Sequence, residues 1–203
     1  MKYLNHQKRI NKMSSFKKSL PLTFMLLVAF FMITSLSIPK VAFAASAEAD
    51  KIDKGVDATL ERFRKVVKGG SVFLEKAEGV LVFPSVIKAG LVVGGEVGKG
   101  ALRIGGKTVA YYSTAAASIG LQLGVQSKSV ILVFLEKEAL SDFRKRSGWK
   151  AGVDGSVALV KWGAGKDINT IDIKDHIVGF VFSNKGLMFN LTIEGSKFTK
   201  TDL

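Results

Sequence analysis

The sequence predicts a single α+β domain, in which a strongly curved antiparallel sheet or small β-barrel-like core carries a few packed helices. Two observations indicate this class. After residue 70, most of the chain consists of short apolar or alternating runs bounded by turn residues, as antiparallel strands are. Within one extended run, glycine recurs at positions 90, 94, 95, 98 and 100. Glycine inside strands is typical of bulges, sharp curvature and close backbone approach.

Residues 1–44 have the composition of a secretory signal peptide. Six basic residues and no acid precede an apolar run from Leu20 to Ile38, and an Ala-x-Ala site follows at Ala42 to Ala44. Cleavage is therefore expected after Ala44. An uncleaved anchor is the alternative, because the run approaches the ~20 residues that cross a bilayer. We expect an exported protein, periplasmic or secreted, that is soluble or peripheral to a membrane.

The positive charge of the chain comes largely from this leader. The whole sequence has a formal charge of +13, but seven of its 30 basic residues and none of its 17 acidic residues lie in residues 1–44. The remaining 159 residues carry a net charge of +6, which is less than the dense basic face of a nucleic-acid-binding protein, so no nucleic-acid partner is expected. Because the chain has no cysteine, we expect its stability to come from one hydrophobic core and not from disulfides.

An N-terminal amphipathic helix is predicted within residues 45–70, from Ala47 to Lys68, with Gly69-Gly70 as its end. Its apolar residues recur every three or four positions and form one stripe: Ile52, Val56, Leu60, Phe63 and Val67. Four basic residues gather near its end: Arg62, Arg64, Lys65 and Lys68. The pattern fits a helix packed on the domain with a solvated outer face, and also a helix lying in a membrane interface.

Residues 71–203 are predicted to form the sheet and one further long helix. Ser71–Glu78 favours a short helix or turn, and Gly79–Gly106 favours curved β-structure. Further strands are predicted at Thr108–Tyr112, Ala116–Gln126, Ser129–Phe134, Trp149–Val160, Ile177–Ser183, Leu187–Ile193 and Lys197–Thr201, and a helix at Glu136–Arg146 with Ala139, Leu140 and Phe143 inward. Asn184-Lys185-Gly186 predicts a hairpin turn, and the polar segment Gly163–Asp175 a loop.

Two of these strands are predicted to have one face with almost no side chains. Strict alternation in Ala116–Gln126 places glycine, serine and glutamine opposite the apolar residues. In the glycine-rich run, Gly94, Gly98 and Gly100 share their parity with Glu96. Such faces can admit a covering helix or a bound ligand, and packing is the commoner reason for glycine in a strand.

The sequence contains no arrangement of residues that indicates an enzyme. After residue 44 the only histidine is His176, there is no cysteine nucleophile, and neither His-Glu-x-x-His nor Gly-x-Ser-x-Gly occurs. The glycines from 94 to 100 do not follow the Gly-x-Gly-x-x-Gly order, and no Gly-Lys-Ser/Thr follows them. No catalytic residue, no cofactor and no metal ligand set is therefore predicted.

Four blocks of the sequence resemble successive blocks of the SYLF domain family. They begin GVLVFPSVIKAG, YYSTAAASIGLQLG, ALSDFRKRSGWKAG and FVFSNKGLMFNLT, and they occupy residues 79–100, 111–134, 139–160 and 180–199. The resemblance implies a SYLF-like α+β domain over residues 71–203 that binds lipid, notably phosphoinositides in eukaryotic, actin-regulating members. In those members an amphipathic segment near the start of the domain contacts the membrane. Lys88 lies in the family's Phe-Pro-x-x-x-Lys-Ala-Gly phrase, and the resemblance attaches no secure role to it.

The predicted function is that of an exported, non-enzymatic domain that binds anionic phospholipid or a phosphoinositide-type lipid at a membrane surface. In this hypothesis Ile52, Val56, Leu60 and Phe63 insert shallowly into the bilayer, while Arg62, Arg64, Lys65 and Lys68 contact phosphates. A second basic cluster consists of Arg144, Lys145, Arg146 and Lys150. That cluster is equally explained as a helix end whose dipole favours basic residues.

Two alternatives remain open from the sequence. One is a structural or protein-interaction role in the cell envelope, with an envelope protein as partner and no lipid ligand. The other is a small apolar molecule enclosed by the curved sheet. Actin is not an expected partner, because this chain is predicted to be exported whereas eukaryotic members of the family act in the cytoplasm.

Overall fold

The computed structural model describes residues 40–67, 69–90, 93–119, 125–160, 176–183, 186–187 and 193–203. The chain divides into two compact units, Met1–Ala44 and Ala45–Leu203. The elements below belong to the second unit, except for the first residues of one helix. That unit is an α+β domain, as predicted, with a strongly curled mixed sheet and three helices among its described residues.

The helices are α1 (Lys40–Val66), α2 (Gly70–Glu75) and α3 (Lys137–Lys145). The strands are β1 (Gly79–Gly90), β2 (Val93–Ile104), β3 (Lys107–Ile119), β4 (Val125–Phe134), β5 (Gly148–Lys150), β6 (Ala158–Leu159), β7 (Ile177–Ser183), β8 (Gly186–Leu187) and β9 (Lys197–Thr201). The sheet order is β5-β9-β3-β2-β1-β4-β7-β6, and β8 pairs with β7. Each pairing between these strands is antiparallel except that of β6 with β7.

Around Leu81-Val82-Phe83 both faces of the sheet are buried, and the central strands carry apolar side chains on successive residues there. On the outer face, α1 and α2 pack on β1, β2, β4 and β7 around Val82 and Phe180. On the inner face, α3 packs where the curl brings distant strands together. There the Phe143 ring lies 5.0 Å from that of Phe134 and 5.6 Å from that of Trp149. The structure therefore has an outer core and an inner core that share one sheet.

The predicted curved β-structure of Gly79–Gly106 is confirmed as a long, bent hairpin. The register of β1 with both of its neighbours shifts around Pro84, which is typical of a β-bulge. Near this bulge, a Cβ added at Gly100 would overlap the carbonyl oxygen of Val82. The glycine at position 100 thus permits the close approach of the two strands that the bend requires.

Several other predicted elements are also confirmed. β4 includes the predicted strand Ser129–Phe134 and lies centrally, between β1 and β7. α3 buries Leu140 and Phe143 as the periodicity requires. β9 has its predicted bounds, and β7 and β8 form the predicted hairpin.

Two predicted strand assignments need correction. β3 is one continuous strand where two were predicted, because its middle pairs with β2 without a break and, at Tyr111–Ala115, also with β9. The single strand predicted at Trp149–Val160 is wrong. A turn separates β5 from β6, with Gly152 at a φ of 80°. The Asp154 carboxylate stabilises this turn by accepting a hydrogen bond from the Lys150 amide at 2.7 Å.

Some predictions fall on parts of the chain that the structure does not describe. The loop Gly163–Asp175 lies wholly outside the described residues, and Leu187–Ile193 lies largely outside them. The described part of Ala116–Gln126 consists of residues 116–119, which end β3, and residues 125–126, which begin β4, so this prediction joined parts of two strands. None of the helices in the described ranges is both long and apolar enough to cross a membrane.

Candidate functional site

The apolar stripe of α1 faces the sheet. Val56 and Phe63 have no exposed surface and Ile52 is buried, while Leu60 is half-buried at the edge of the outer core. The Phe63 ring packs edge-on against Phe180, with ring centres 4.7 Å apart. These side chains cannot enter a bilayer while α1 lies on the sheet. In this position of α1 the stripe closes the outer core. The predicted shallow insertion requires α1 to leave the sheet, and it stays a prediction.

A polar network fastens α1 to the β2–β3 hairpin. Asp53 accepts hydrogen bonds from Thr108 Oγ1 at 2.7 Å and from the Tyr111 hydroxyl at 2.9 Å. Arg103 Nη2 lies 3.4 Å from the Asp53 carboxylate and donates to Asp57 Oδ1 at 2.9 Å. Burial raises the pKa of the Tyr111 hydroxyl above its ordinary value, and the hydrogen bond to Asp53 raises that pKa further. The network holds the helix in one position on the sheet.

Arg62 is used by the fold. Its Nη2 donates to Ser129 Oγ at 2.8 Å, and its guanidinium carbon lies 5.0 Å from the centre of the Phe182 ring. Ser129 Oγ in turn donates to the Pro84 carbonyl at 2.7 Å. These contacts hold the Arg62 side chain against the sheet, and its predicted phosphate contact stays a prediction. Arg62 is next to the buried Phe63 in the helix, and its side chain links α1 to β4 and β7.

Arg64 and Lys65 are exposed at the C-terminal end of α1. Lys65 Nζ lies 2.6 Å from Glu61 Oε1, one turn earlier, and this hydrogen bond lowers the pKa of the Glu61 carboxyl group. An exposed pair of this kind contributes little to stability, so Lys65 can readily exchange its partner for another anion. Lys68, the fourth residue of this predicted set, lies outside the described residues.

An open groove of about 500 Å³ lies beside Arg64. Its walls come from α1, α2, the start of β1 and the β2–β3 turn. Leu60 and Leu74 give it apolar surface, and Arg64 and Arg103 give it two guanidinium groups alongside two carboxylates. The size lies within the range of sites that bind small molecules. Sequence analysis missed this groove, because residues from four elements line it and no local pattern joins them.

The second predicted basic cluster lies at the end of α3 and just after it. All four of its members are exposed: Arg144, Lys145, Arg146 and Lys150. Two of them are paired with acids. Lys145 Nζ lies 3.2 Å from Asp142 Oδ1, and Arg146 Nη1 lies 3.0 Å from Asp154 Oδ1. These pairs reduce the net charge of the cluster, and its position is one that the helix dipole favours.

A further charged cluster lies on the inner face, on the same side of the sheet as Gly98. Lys128 Nζ lies 2.6 Å from Glu96 Oε2, and Lys88 Nζ lies 3.8 Å from Glu96 Oε1. Beside them is a hollow of about 10 Å³. It has room for about one water molecule, and it is too small for the enclosed apolar molecule considered above. Sequence analysis singled out Lys88 and Glu96 separately. Their direct pairing across β1 and β2 depends on the hairpin register.

His176, the candidate with the most chemical versatility, is largely exposed. Its Nδ1 lies 2.6 Å from Glu136 Oε2, so the imidazole and carboxylate form a surface pair at the start of α3 and β7. Within the described part of the chain, no three histidine or acidic side chains are grouped closely enough to hold a metal ion.

Residues 115–202 match the model of a protein family described as Las17-binding protein actin regulator. The match runs from the second half of β3 through β9, and it includes all or part of the last three of the four blocks quoted above. It confirms the predicted resemblance to the SYLF domain family for this part of the chain. A search of curated proteins finds no match.

Proposed function

Because residues 115–202 match the family model, we propose that this chain is an exported, non-enzymatic domain that binds anionic phospholipid or a phosphoinositide-type lipid at a membrane surface. The family implies a lipid-binding, actin-regulator-like domain. The observation that carries the proposal is the groove at the end of α1, which the exposed Arg64 lines, with the exposed Lys65 next to Arg64 in the chain. The leader composition of residues 1–44 supports export, which also argues against actin as the partner of this chain.

The proposed attachment is electrostatic, and α1 stays on the sheet. A headgroup phosphate lies in the groove against Arg64, while Leu60 and Leu74 contact the less polar part of the lipid. Each basic residue near an anionic surface contributes about 1 kcal/mol. Two such residues give weak attachment that salt reverses, because exposed charges are screened over about 8–10 Å at physiological ionic strength.

Liposome sedimentation tests this proposal. We expect the protein that begins at Ala45 to bind anionic liposomes and not neutral ones, with binding that weakens as salt increases. The double variant Arg64→Gln/Lys65→Gln loses about 2 kcal/mol, or about thirtyfold in affinity. The matched control is Lys51→Gln/Lys54→Gln, which removes the same charge from exposed positions of the same helix and keeps most of the binding.

Two results would contradict the proposal. Equal losses in the two double variants would mean that net charge, and not the groove, attracts the membrane. Absence of binding by the unmodified protein to either kind of liposome would remove the lipid function altogether.

A second candidate function is a structural or protein-interaction role in the cell envelope. Ile87 and Val97 are directly paired on β1 and β2, and they are 44% and 60% exposed. Ala115, the next residue across the sheet, is also exposed. Adjacent exposed apolar residues on a sheet face favour a protein partner. This candidate gains support if liposomes are not bound and an Ile87→Ser/Val97→Ser variant loses a partner that the unmodified protein retains.

A further inference from the structure

Three charged side chains meet on the inner face although they belong to three different strands. Lys88 is on β1, Glu96 on β2 and Lys128 on β4, and β1 lies between the other two strands. Neighbouring strands are about 4.8 Å apart, so β2 and β4 would be separated by about twice that distance in a flat sheet. Lys128 Nζ nevertheless lies 2.6 Å from Glu96 Oε2. The curl of the sheet and the length of the lysine side chain together bring these charges into contact.

The two lysines of this cluster carry more positive charge than the single carboxylate of Glu96 neutralises. They also carry more hydrogen-bond donors than that carboxylate can accept from. The side chains of Lys128, Glu96 and Lys88 are 7%, 13% and 20% exposed. Two ammonium groups carry six N–H donors, and the 3.8 Å between Lys88 Nζ and Glu96 Oε1 is too long for a hydrogen bond. Among the described residues, Glu96 is the one acidic partner of both lysines. Lysines with so little contact with water are rarely left without a full anionic partner.

The space beside the cluster has the size of one oxygen atom. The hollow of about 10 Å³ is lined by Glu96, Lys128, Thr114 and Ser196, among others. Thr114 and Ser196 are buried and carry hydroxyl groups. Gly98, which is paired directly with Thr114, adds no side chain on this face. The hollow therefore has room for a single oxygen of a larger polar group. Lys88 does not line the hollow, and its side chain is more exposed than that of Lys128.

We propose that this cluster binds an oxyanion, a carboxylate or phosphate group, with one oxygen in the hollow beside Lys128 and another on Lys88. Glu96 holds the two ammonium groups in place and competes with the ligand for them. The oxyanion comes from a free anion in solution or from the headgroup of a lipid. The site lies on the inner face, uses no residue of the groove, and does not depend on the proposed function.

Nuclear magnetic resonance of the purified full chain tests the site. The probes are inorganic phosphate, octanoate and soluble dihexanoyl phosphatidate, and sodium chloride at equal ionic strength is the salt control. We expect saturable shifts of the backbone amides of Gly98 and Thr114 with at least one probe.

Two variants test the roles of the charged side chains. Lys88→Met weakens that binding at least tenfold. Glu96→Gln strengthens it several-fold, because the competing carboxylate is removed. The probe that binds most tightly identifies the source of the oxyanion.

The backbone amides of Gly105 and Gly106, which line the groove, report binding in the groove. Their shifts distinguish binding there from binding at the inner-face cluster. Shifts confined to those two amides would overturn the inner site and leave the proposed function standing. Unchanged affinity in Lys88→Met, or no saturable shift of Gly98 and Thr114 with any probe, would also overturn it. Lys88 is the residue to change because it is more exposed than Lys128, and a spectrum with native dispersion shows that the variant has folded.

Discussion

At the scale of single residues, glycine positions decide how far the sheet can bend. A Cβ built at Gly100 would lie 2.7 Å from the Phe83 ring and would overlap the Val82 carbonyl. At Gly95, five residues earlier in the same strand, the nearest such atom is 3.8 Å away, at the Ala116 carbonyl. The two glycines thus have different roles, although sequence analysis treated the whole run alike.

We predict that Gly100→Ala lowers the free energy of unfolding by about 1–3 kcal/mol, because the added methyl group has no space beside the β1 backbone. Gly95→Ala is the matched control, and it changes stability by less than about 0.5 kcal/mol. Urea denaturation of both variants checks this. Equal effects at the two positions would show that backbone entropy, and not close approach, is what glycine contributes here.

At the scale of elements, α1 has both a charged face and a buried stripe, and the stripe determines its position. Phe63 packs into the outer core, and Asp53 and Arg103 fasten the helix at its middle. Nearer its start, Glu48 Oε1 lies 2.5 Å from Lys99 Nζ of β2. The contacts run along the helix, so leaving the sheet would break many of them at once.

We predict that locking α1 to the sheet does not affect lipid binding. A Cβ built at Gly55 would lie 3.1 Å from Pro84 Cβ, near the 3.5–4.5 Å of a disulfide, so Gly55→Cys/Pro84→Cys can join α1 to β1. The chain has no other cysteine. In liposome sedimentation the oxidised and reduced forms should bind alike, because Arg64 is exposed while the helix is in place.

The control for this experiment is Gly55→Cys alone, carried through the same oxidation and reduction. Loss of binding on oxidation, with recovery after reduction, would mean that α1 must leave the sheet. The insertion of Phe63 and its neighbours, which the sequence suggested, would then be the correct mechanism.

At the scale of the whole molecule, the two cores share strands and are therefore expected to be coupled. In β1, Leu81 and Phe83 belong to the inner core, whereas Val82 between them belongs to the outer core. β4 and β7 alternate in the same way. Loss of the sheet would remove one wall from both cores, so neither can persist without the other.

We predict that the protein beginning at Ala45 unfolds in one cooperative transition. Trp149 is buried in the inner core, so its fluorescence follows the unfolding of that core. The substitution Trp162→Phe leaves Trp149 as the one tryptophan of the protein. Far-ultraviolet circular dichroism reports mainly α1 on the outer side. In guanidinium chloride the two midpoints should coincide, as for a two-state domain. An earlier loss of the helical signal would show that α1 is a separable element, which would also favour membrane insertion.

Much of the local structure could be predicted because it depends on residues that are close in the chain. The apolar stripes of α1 and α3 and the apolar runs of β4 and β7 follow from periodicities of 3.6 and 2 residues. The failed strand at Trp149–Val160 shows the limit of this approach. There, the Asp154 side chain accepts a hydrogen bond from the Lys150 amide and stabilises a turn that no alternation of apolar and polar residues indicates.

The sequence alone determined the α+β class, most of the elements, the absence of a recognisable enzyme motif and the resemblance that residues 115–202 confirm. Only the tertiary structure decided which charged residues are available. Arg62 reaches Ser129, 67 positions away, and Lys128 reaches Glu96 across an intervening strand. The physical reason is that periodicity indicates which face of an element is apolar. The order and curl of the sheet determine what that face, and the charges beside it, will meet.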